Sequence, residues 1–190
     1  GEGALLKLIE DRKKKLKEKG FFDQEHKKEI PFFPKKIGVI TSSTGSVIHD
    51  IINRIKDRFP VDIDVWPVAV QGTRASQEII NAIKGFNSDV YNEKPSTLII
   101  ARGGGSTEDL MPFNDEKLAI AVFNSELPII SAIGHETDTT IIDLVSDLRV
   151  STPTAAAEKT VPLKHDIEIH IKNQHFKLNN RVLCKIRSDI

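Results

Sequence analysis

Hydrophobic residues in the middle of the chain follow two alternating patterns. Short runs rich in β-branched residues predict strands, and apolar residues three or four positions apart predict helices. Strands that alternate with helices of about a dozen residues are typical of βαβ units and a parallel sheet. The predicted strands are 36–41, 62–70, 97–101 and 128–133, and the predicted helices are 46–58, 75–86, 114–125 and 139–148.

Both ends of the chain predict helices outside this sheet. Residues 4–19 carry an apolar stripe and end at Gly20, and residues 21–35, with two prolines, read as a linker. Residues 163–190 have an apolar residue at every seventh position, which favours one long helix of the coiled-coil type. The predicted domains are 1–35, a helical lead-in and linker, 36–160, an α/β domain, and 161–190, the start of a long helical region.

We therefore expect an α/β fold with a mostly parallel open sheet and helices on both faces, flanked by an N-terminal helix and a long C-terminal helix. Proline cannot donate a ladder hydrogen bond, so Pro67 indicates one of two arrangements. Either the second strand lies at an edge of the sheet, or Pro67 lies at the end of that strand.

Length and composition limit the classes of protein that remain. The 190 residues suit one domain with extensions, and 39% hydrophobic residues suffice for a core. No apolar run approaches the roughly 20 residues of a membrane-spanning helix, and no secretory leader opens the chain. The single cysteine, Cys184, excludes an internal disulfide, so we expect a cytoplasmic protein without membrane contact.

The net charge of zero conceals an uneven distribution. Residues 1–36 hold 11 Lys and Arg against 7 Asp and Glu, and residues 163–190 hold 6 against 3. The basic ends permit contact with a polyanion, although the charge alone favours solvated helix faces as the explanation.

Three loops of unusual composition follow predicted strands: TSSTGS (41–46), RGGGS (102–106) and GHETD (134–138). In an open parallel sheet, ligands bind beyond the carboxyl ends of the strands, so these loops share one edge. Main-chain N–H groups of Gly103, Gly104 and Gly105 can bind an anion, Ser106 can cap the following turn, and Arg102 can grip a phosphate. The alternative is a tight turn beside an ordinary surface arginine.

The other two loops offer acid–base groups and hydroxyls. His135 can exchange protons near neutral pH and Asp138 can orient it, although a loop histidine and a helix N-cap are the simpler interpretations. Ser42 and Thr44 suggest a second anion cradle. Asp50 follows in the next helix. Its negative charge near the N-terminus is favoured by the helix dipole, and it can pair with Arg54, so a purely structural role is the simpler interpretation.

Elsewhere, metal ligation is the weaker interpretation of the acidic residues. Asp143 and Asp147 are four positions apart, which allows a metal site but favours a solvated acidic helix face.

The three loops, in this order, resemble the exodeoxyribonuclease VII large-subunit family. The resemblance covers about residues 20–160. The matching stretches are IGVITSSTGSVIHDI (37–51), PVAVQG (67–72), ARGGGSTEDLMPFN (101–114), PIISAIGHETDTTIIDLVSDLR (128–149) and STPTAAAE (151–158).

This resemblance implies an exonuclease that degrades single-stranded DNA to short 5′-phosphorylated oligonucleotides and works with a small helical subunit. It implies catalytic roles for Asp50, Arg102, His135 and Asp138, and no required divalent metal or other cofactor. The residues by themselves leave open a phosphate- or nucleotide-binding module without catalysis, or a small-molecule transferase or isomerase.

Overall fold

A computed structural model of the chain describes residues 2–105, 107–134 and 138–188. Its centre is a five-stranded sheet in which every neighbouring pair is parallel, in the order β2-β1-β3-β4-β5. The strands are β1 (Lys36–Thr41), β2 (Asp62–Pro67), β3 (Thr97–Ala101), β4 (Ile129–Ala132) and β5 (Leu148–Arg149). The helices are α1 (Glu2–Glu18), α2 (Ser46–Arg58), α3 (Ala75–Asn87), α4 (Glu116–Phe123), α5 (Ile141–Val145), α6 (Pro153–Thr160) and α7 (Lys164–Ser188), with short 3₁₀ helices at Gln24–His26 and Thr107–Asn114.

The sheet separates two hydrophobic cores because successive residues of a strand point to opposite faces. In β3, Leu98 and Ile100 enter the core shared with α3, α4 and α5. Ile99 and Ala101 enter the core shared with α2 and α6. Strands covered on both faces read as continuous apolar runs, which is why β3 carried a clear sequence signal. The expected α/β fold with helices on both faces is confirmed.

Helix α1 lies on the α4 side of the sheet. Leu16 is fully buried there, Arg12 donates to the carbonyl oxygen of Asn114 at 2.8 Å, and Lys15 pairs with Glu116 at 2.7 Å. Phe21 stacks on Phe123 with ring centroids 4.2 Å apart. These contacts join the lead-in to the sheet domain.

The segment after α1 is also attached to the domain. The Lys27 ammonium donates to the carbonyl oxygens of Leu144 and Ser146, and the main-chain N–H of Lys28 donates to Asp147 at 2.7 Å. Burial lowers the pKa of Lys27, partly offset by Asp147. The proposed domain boundaries stay a prediction.

Two predicted helices and one predicted strand differ from the structure in extent. The predicted helix 114–125 is a 3₁₀ helix ending at Asn114 followed by α4, because Asp115 caps α4 by accepting from the N–H groups of Lys117 and Leu118. The predicted strand 62–70 ends at Pro67, which is both at a strand end and in an edge strand.

The predicted helix 139–148 is only the five residues of α5, and a fifth strand follows it. Asp147 accepts from the N–H of Ile129 at 2.7 Å and of Lys28, so its carboxylate joins the chain to the start of β4. The prediction that Asp143 and Asp147 form a solvated face is wrong, because Asp143 is 3% exposed and the Asp147 side chain 5% exposed.

Helix α7 leaves the domain with exposed apolar side chains, as the seven-residue pattern predicts. Ile171, Phe176 and Leu178 are each about 60% exposed, and near its start His170 contacts the rings of Phe32 and Phe33. Within the described ranges, no helix combines the length and apolar character needed to cross a membrane.

Candidate active site

The carboxyl edge of the sheet holds a cleft of about 440 Å³. It lies where β1 has β2 on one side and β3 on the other, so the chain leaves β1 and β3 toward different sides and a crevice opens between them. Residues 41, 42 and 45–47 after β1, 69–71 after β2 and 102–104 after β3 line this cleft. Two of the three predicted loops, TSSTGS and RGGGS, therefore meet at this cleft together with the loop after β2, whereas the GHETD loop contributes no described residue to its lining.

Among the described residues that line the cleft, Arg102 carries the positive charge. It is only 5% exposed, and its guanidinium lies 3.5 Å from the Asp109 carboxylate. Burial lowers the pKa of Arg102, and the charge of Asp109 opposes that shift. An arginine stays protonated even so, which leaves a poorly solvated positive charge at the cleft. Such a charge favours a bound anion.

At Gly105 the Arg102 guanidinium occupies the space in which a side chain would begin, so a larger residue there would displace the guanidinium. A Cβ at Gly105 would overlap with Nη2 of Arg102, and it would lie 2.9 Å from Oδ2 of Asp109. The glycine loop therefore folds over the arginine side chain and holds it, which is a packing reason for this glycine. Gly103 lies beside α2, with Val47 3.2 Å from the position of a Cβ.

The N-terminus of α2 opens into the same cleft. Gly45 is the N-cap, with φ −90° and ψ 159°, and no side chain caps it. The first N–H groups of a helix lack partners within the helix and favour negative charge. The hydroxyl of Ser42, which is 3.2 Å from that of Thr44, adds a neighbouring polar group. The Thr41 hydroxyl donates to the carbonyl oxygen of Ala101 at 2.8 Å and holds the ends of β1 and β3 together.

The structure thus brings together four of the predicted site residues, namely Ser42, Arg102, Gly103 and Gly104. Thr44 and Gly105 contact members of this set. Ser106 lies outside the described residues.

Asp50 is exposed in the second turn of α2 and is absent from the described cleft lining. The pair with Arg54 that could have explained it is not formed, since Arg54 pairs with Glu158 of α6 at 2.8 Å. Because positions four apart share a helix face, Asp50 lies on the α6 side of α2, one turn nearer the carboxyl edge. Its catalytic role stays a prediction.

His135 also lies outside the described residues, and the segment around it is described only at its ends. A Cβ at Gly134 would overlap with the carbonyl oxygen of Asp138, so the two ends of the loop approach each other closely. Asp138 is half-buried and does not cap α5, because Thr140 is the N-cap. That removes the simpler interpretation of Asp138, and its placement beside His135 stays a prediction.

Two buried side chains fix the end of this loop. Asp143, on α5, accepts from Ser131 Oγ at 2.5 Å and from both the N–H and the hydroxyl of Thr140 at 2.8 Å. Asn114, 6% exposed, accepts from the N–H of Ile141 at 2.9 Å, at the end of the 3₁₀ helix that follows the glycine loop. The two loops that carry Arg102 and His135 are therefore joined through buried hydrogen bonds.

Gln71 is the cleft residue that sequence reasoning missed. It follows β2 and lines the cleft with Arg102. The available signal was its place after a strand, because the loops of all parallel strands meet at one edge. The described residues contain no group of three or more His, Cys, Asp or Glu side chains arranged to hold a metal ion.

Comparison with known proteins gives the family. The model of the family described as "Exonuclease VII, large subunit" matches residues 21–189, which is most of the chain. The chain belongs to the exonuclease VII large-subunit family.

Members of this family are similar over nearly the whole chain. The exodeoxyribonuclease 7 large subunit of Bartonella henselae is 58% identical over 174 residues, which is 90% of this chain and 37% of that protein. The protein of the same name from Mesorhizobium japonicum is 55% identical, covering 96% of this chain and 36% of the relative. That from Anaplasma marginale is 53% identical, covering 96% and 45%. The chain thus spans less than half the length of these exonuclease VII relatives.

Proposed function

We propose that this chain is the catalytic region of an exodeoxyribonuclease that hydrolyses phosphodiester bonds of single-stranded DNA and releases short 5′-phosphorylated oligonucleotides. The observation that carries the proposal is the cleft at the β1/β3 edge. There a buried guanidinium, an uncapped helix N-terminus and a glycine loop meet in one space of about 440 Å³. Each of these favours a phosphate, and together they fit a phosphodiester group.

Arg102 and the N–H groups of the glycine loop, residues 103–105, hold the scissile phosphate and stabilise the charge that develops on it. Ser42, Thr44 and Ser106 donate further hydrogen bonds to phosphate oxygens. The Arg102 guanidinium is held in place before substrate binds, because the side chain is buried and Gly105 packs against it.

The acid and base follow from the products. Water adds to phosphorus while the bond from phosphorus to the 3′ oxygen breaks, so one fragment keeps a 5′-phosphate and the other a 3′-hydroxyl. In our proposal His135 gives a proton to the leaving 3′ oxygen, Asp138 orients the imidazole, and Asp50 takes the proton of the attacking water.

We further propose that the reaction requires no divalent metal or other cofactor, and that the active enzyme includes a small subunit in the cytoplasm. The names of the relatives identify them as large subunits, which implies a second kind of subunit. Turnover that persists in excess chelator supports the metal-free reaction, and turnover that stops and returns with added Mg²⁺ contradicts it.

The central test is Arg102→Gln in the complete large subunit with its small subunit. We expect cleavage of single-stranded oligonucleotides to fall by about 10²–10³-fold in kcat, the usual effect of losing one such donor. The matched control is Arg74→Gln, since the Arg74 side chain is 84% exposed and pairs only loosely with Glu78 at 3.8 Å. Equal activity of the two variants would remove Arg102 from the mechanism. Saturable phosphate binding without any cleavage by the wild type would favour a binding module instead.

A further inference from the structure

The loop after β2 forms one wall of the cleft, and main-chain hydrogen bonds hold its backbone. The N–H of Val68 donates to the carbonyl oxygen of Thr41 at 3.0 Å, and the N–H of Ala69 donates to Glu78 at 2.7 Å. At Gly72 the chain turns with φ +79°, with no other atom within 4 Å of a Cβ position. The Gly72 carbonyl oxygen accepts from the N–H of Ala75 at 3.3 Å. The backbone on both sides of Gln71 is therefore hydrogen-bonded, while the Gln71 side chain is exposed at the cleft.

This wall stands across the cleft from Arg102. Strands β2 and β3 lie on either side of β1, and neighbouring strands are about 4.8 Å apart, so the two strand ends are about 10 Å apart. That width exceeds a single phosphate group. A polynucleotide with one phosphate at Arg102 consequently places a neighbouring backbone unit near Gln71 when it crosses the cleft.

The chemistry of the cleft suits a backbone rather than a base. Among the described residues that line it, none is aromatic and none carries a carboxylate, whereas hydroxyls, main-chain amides and one guanidinium are present. Bases in single strands are held mainly by stacking on aromatic rings, and phosphates by arginine, serine and glutamine donors. A carboxamide donates two hydrogen bonds without adding charge.

From this arrangement we propose that Gln71 is a substrate-binding residue whose carboxamide N–H donates to a phosphate oxygen one nucleotide away from the phosphate at Arg102. This inference rests on the proposed function and adds a second backbone contact to it. The contact is independent of base sequence, because it reaches only the phosphate.

The test compares three variants in the complete large subunit assembled with its small subunit. Gln71→Glu replaces the donor by a negative charge, and Gln71→Lys keeps a donor and adds a positive charge. Gln77→Glu is the matched control, because Gln77 is exposed on α3, bonded to Asn81 at 3.0 Å, and outside the described cleft lining. The readouts are steady-state cleavage of a labelled single-stranded oligonucleotide and its equilibrium binding by fluorescence anisotropy, each at low and high salt.

We expect Gln71→Glu to raise KM and Kd by about tenfold or more, the effect of losing a hydrogen bond to a charged group, with kcat within about twofold of the wild type. The effect shrinks at high salt because the repulsion is screened. Gln71→Lys has a KM no higher than the wild type, and Gln77→Glu behaves as the wild type. The same ratios hold for oligonucleotides of different base composition.

The inference is overturned when Gln71→Glu and Gln77→Glu have the same KM and Kd, or when Gln71→Glu lowers only kcat. The proposed function is tested separately by the same measurements. Loss of cleavage in Arg102→Gln with no effect of Gln71→Glu keeps the nuclease and removes the role of Gln71. Binding without cleavage by the wild type, weakened in Gln71→Glu, keeps the role of Gln71 and removes the hydrolysis.

Discussion

Replacing Asp143 tests whether the buried carboxylate holds the end of the loop that carries His135. Asp143 is 3% exposed, and its side chain accepts three hydrogen bonds, one from Ser131 on β4 and two from Thr140 at the start of α5. Arg149 Nε lies 3.9 Å from the carboxylate. Asp143 therefore joins the strand before the loop to the helix after it.

The expected magnitude follows from these partners. Asp143→Asn keeps the shape and one acceptor oxygen but loses the charge that strengthens three hydrogen bonds, each worth roughly 1 kcal/mol more with a charged acceptor. Rotation of the Ser131 hydroxyl recovers part of this loss, so we expect a decrease of about 2 kcal/mol in the free energy of unfolding. Asp143→Ala leaves the donors without an acceptor and costs about 4 kcal/mol.

The free energy of unfolding is measured by urea denaturation followed through the fluorescence of Trp66, the only tryptophan of the chain. Asp57→Asn is the control, because Asp57 is exposed on α2 and its replacement removes the same charge. Cleavage by the complete enzyme, measured well below the melting temperature, should fall in Asp143→Asn and not in the control. A loss below about 0.5 kcal/mol in Asp143→Asn, equal to that of Asp57→Asn, would refute the reasoning.

Three further predictions concern the frame of the site. In Gly85→Ala the new methyl group overlaps with the Trp66 ring, so we expect a loss of about 1–2 kcal/mol in urea denaturation and a changed emission spectrum, whereas an unchanged spectrum contradicts the contact. Gly72→Ala should cost about 1–2 kcal/mol through its positive φ alone, and Gly72→Asn less; equal losses argue against backbone strain. The hydrogen bond from Lys15 lowers the pKa of Glu116, so this pair stabilises the fold above pH ~4.3 and loses its effect as the pH falls through the lowered pKa. Both groups are partly exposed, so the pair contributes at most about 1 kcal/mol to the free energy of unfolding. Urea denaturation of Lys15→Met at a series of pH values should show the loss of that contribution, and a larger change points to other carboxylates.

The parts of the fold that follow local rules could be predicted from the sequence. The strand β3 is buried on both faces and reads as an uninterrupted apolar run, and the isoleucines of α2 recur at helical spacing. The glycine loop after β3 could also be recognised from local sequence, because a run of three glycines has few uses besides a tight turn or a close approach to a ligand.

Elements that depend on distant partners could not be predicted. The two residues of β5 are too few to show a pattern, and beside them the Asp147 carboxylate binds main-chain N–H groups of Ile129 and Lys28, which are distant in the sequence. Asp143 is buried against Ser131 and Thr140, so a spacing typical of an exposed helix face was misleading.

The sequence by itself determined most of the longer strands and helices and which loops follow the strands, because periodicity and turn residues act over a few positions. Only the tertiary structure decided that β1 lies between β2 and β3, and with it that Arg102 and Gln71 share one cleft. Strand order and side-chain burial result from packing between segments far apart in the chain. No local pattern contains that information, since the same apolar strand can occupy several places in a parallel sheet.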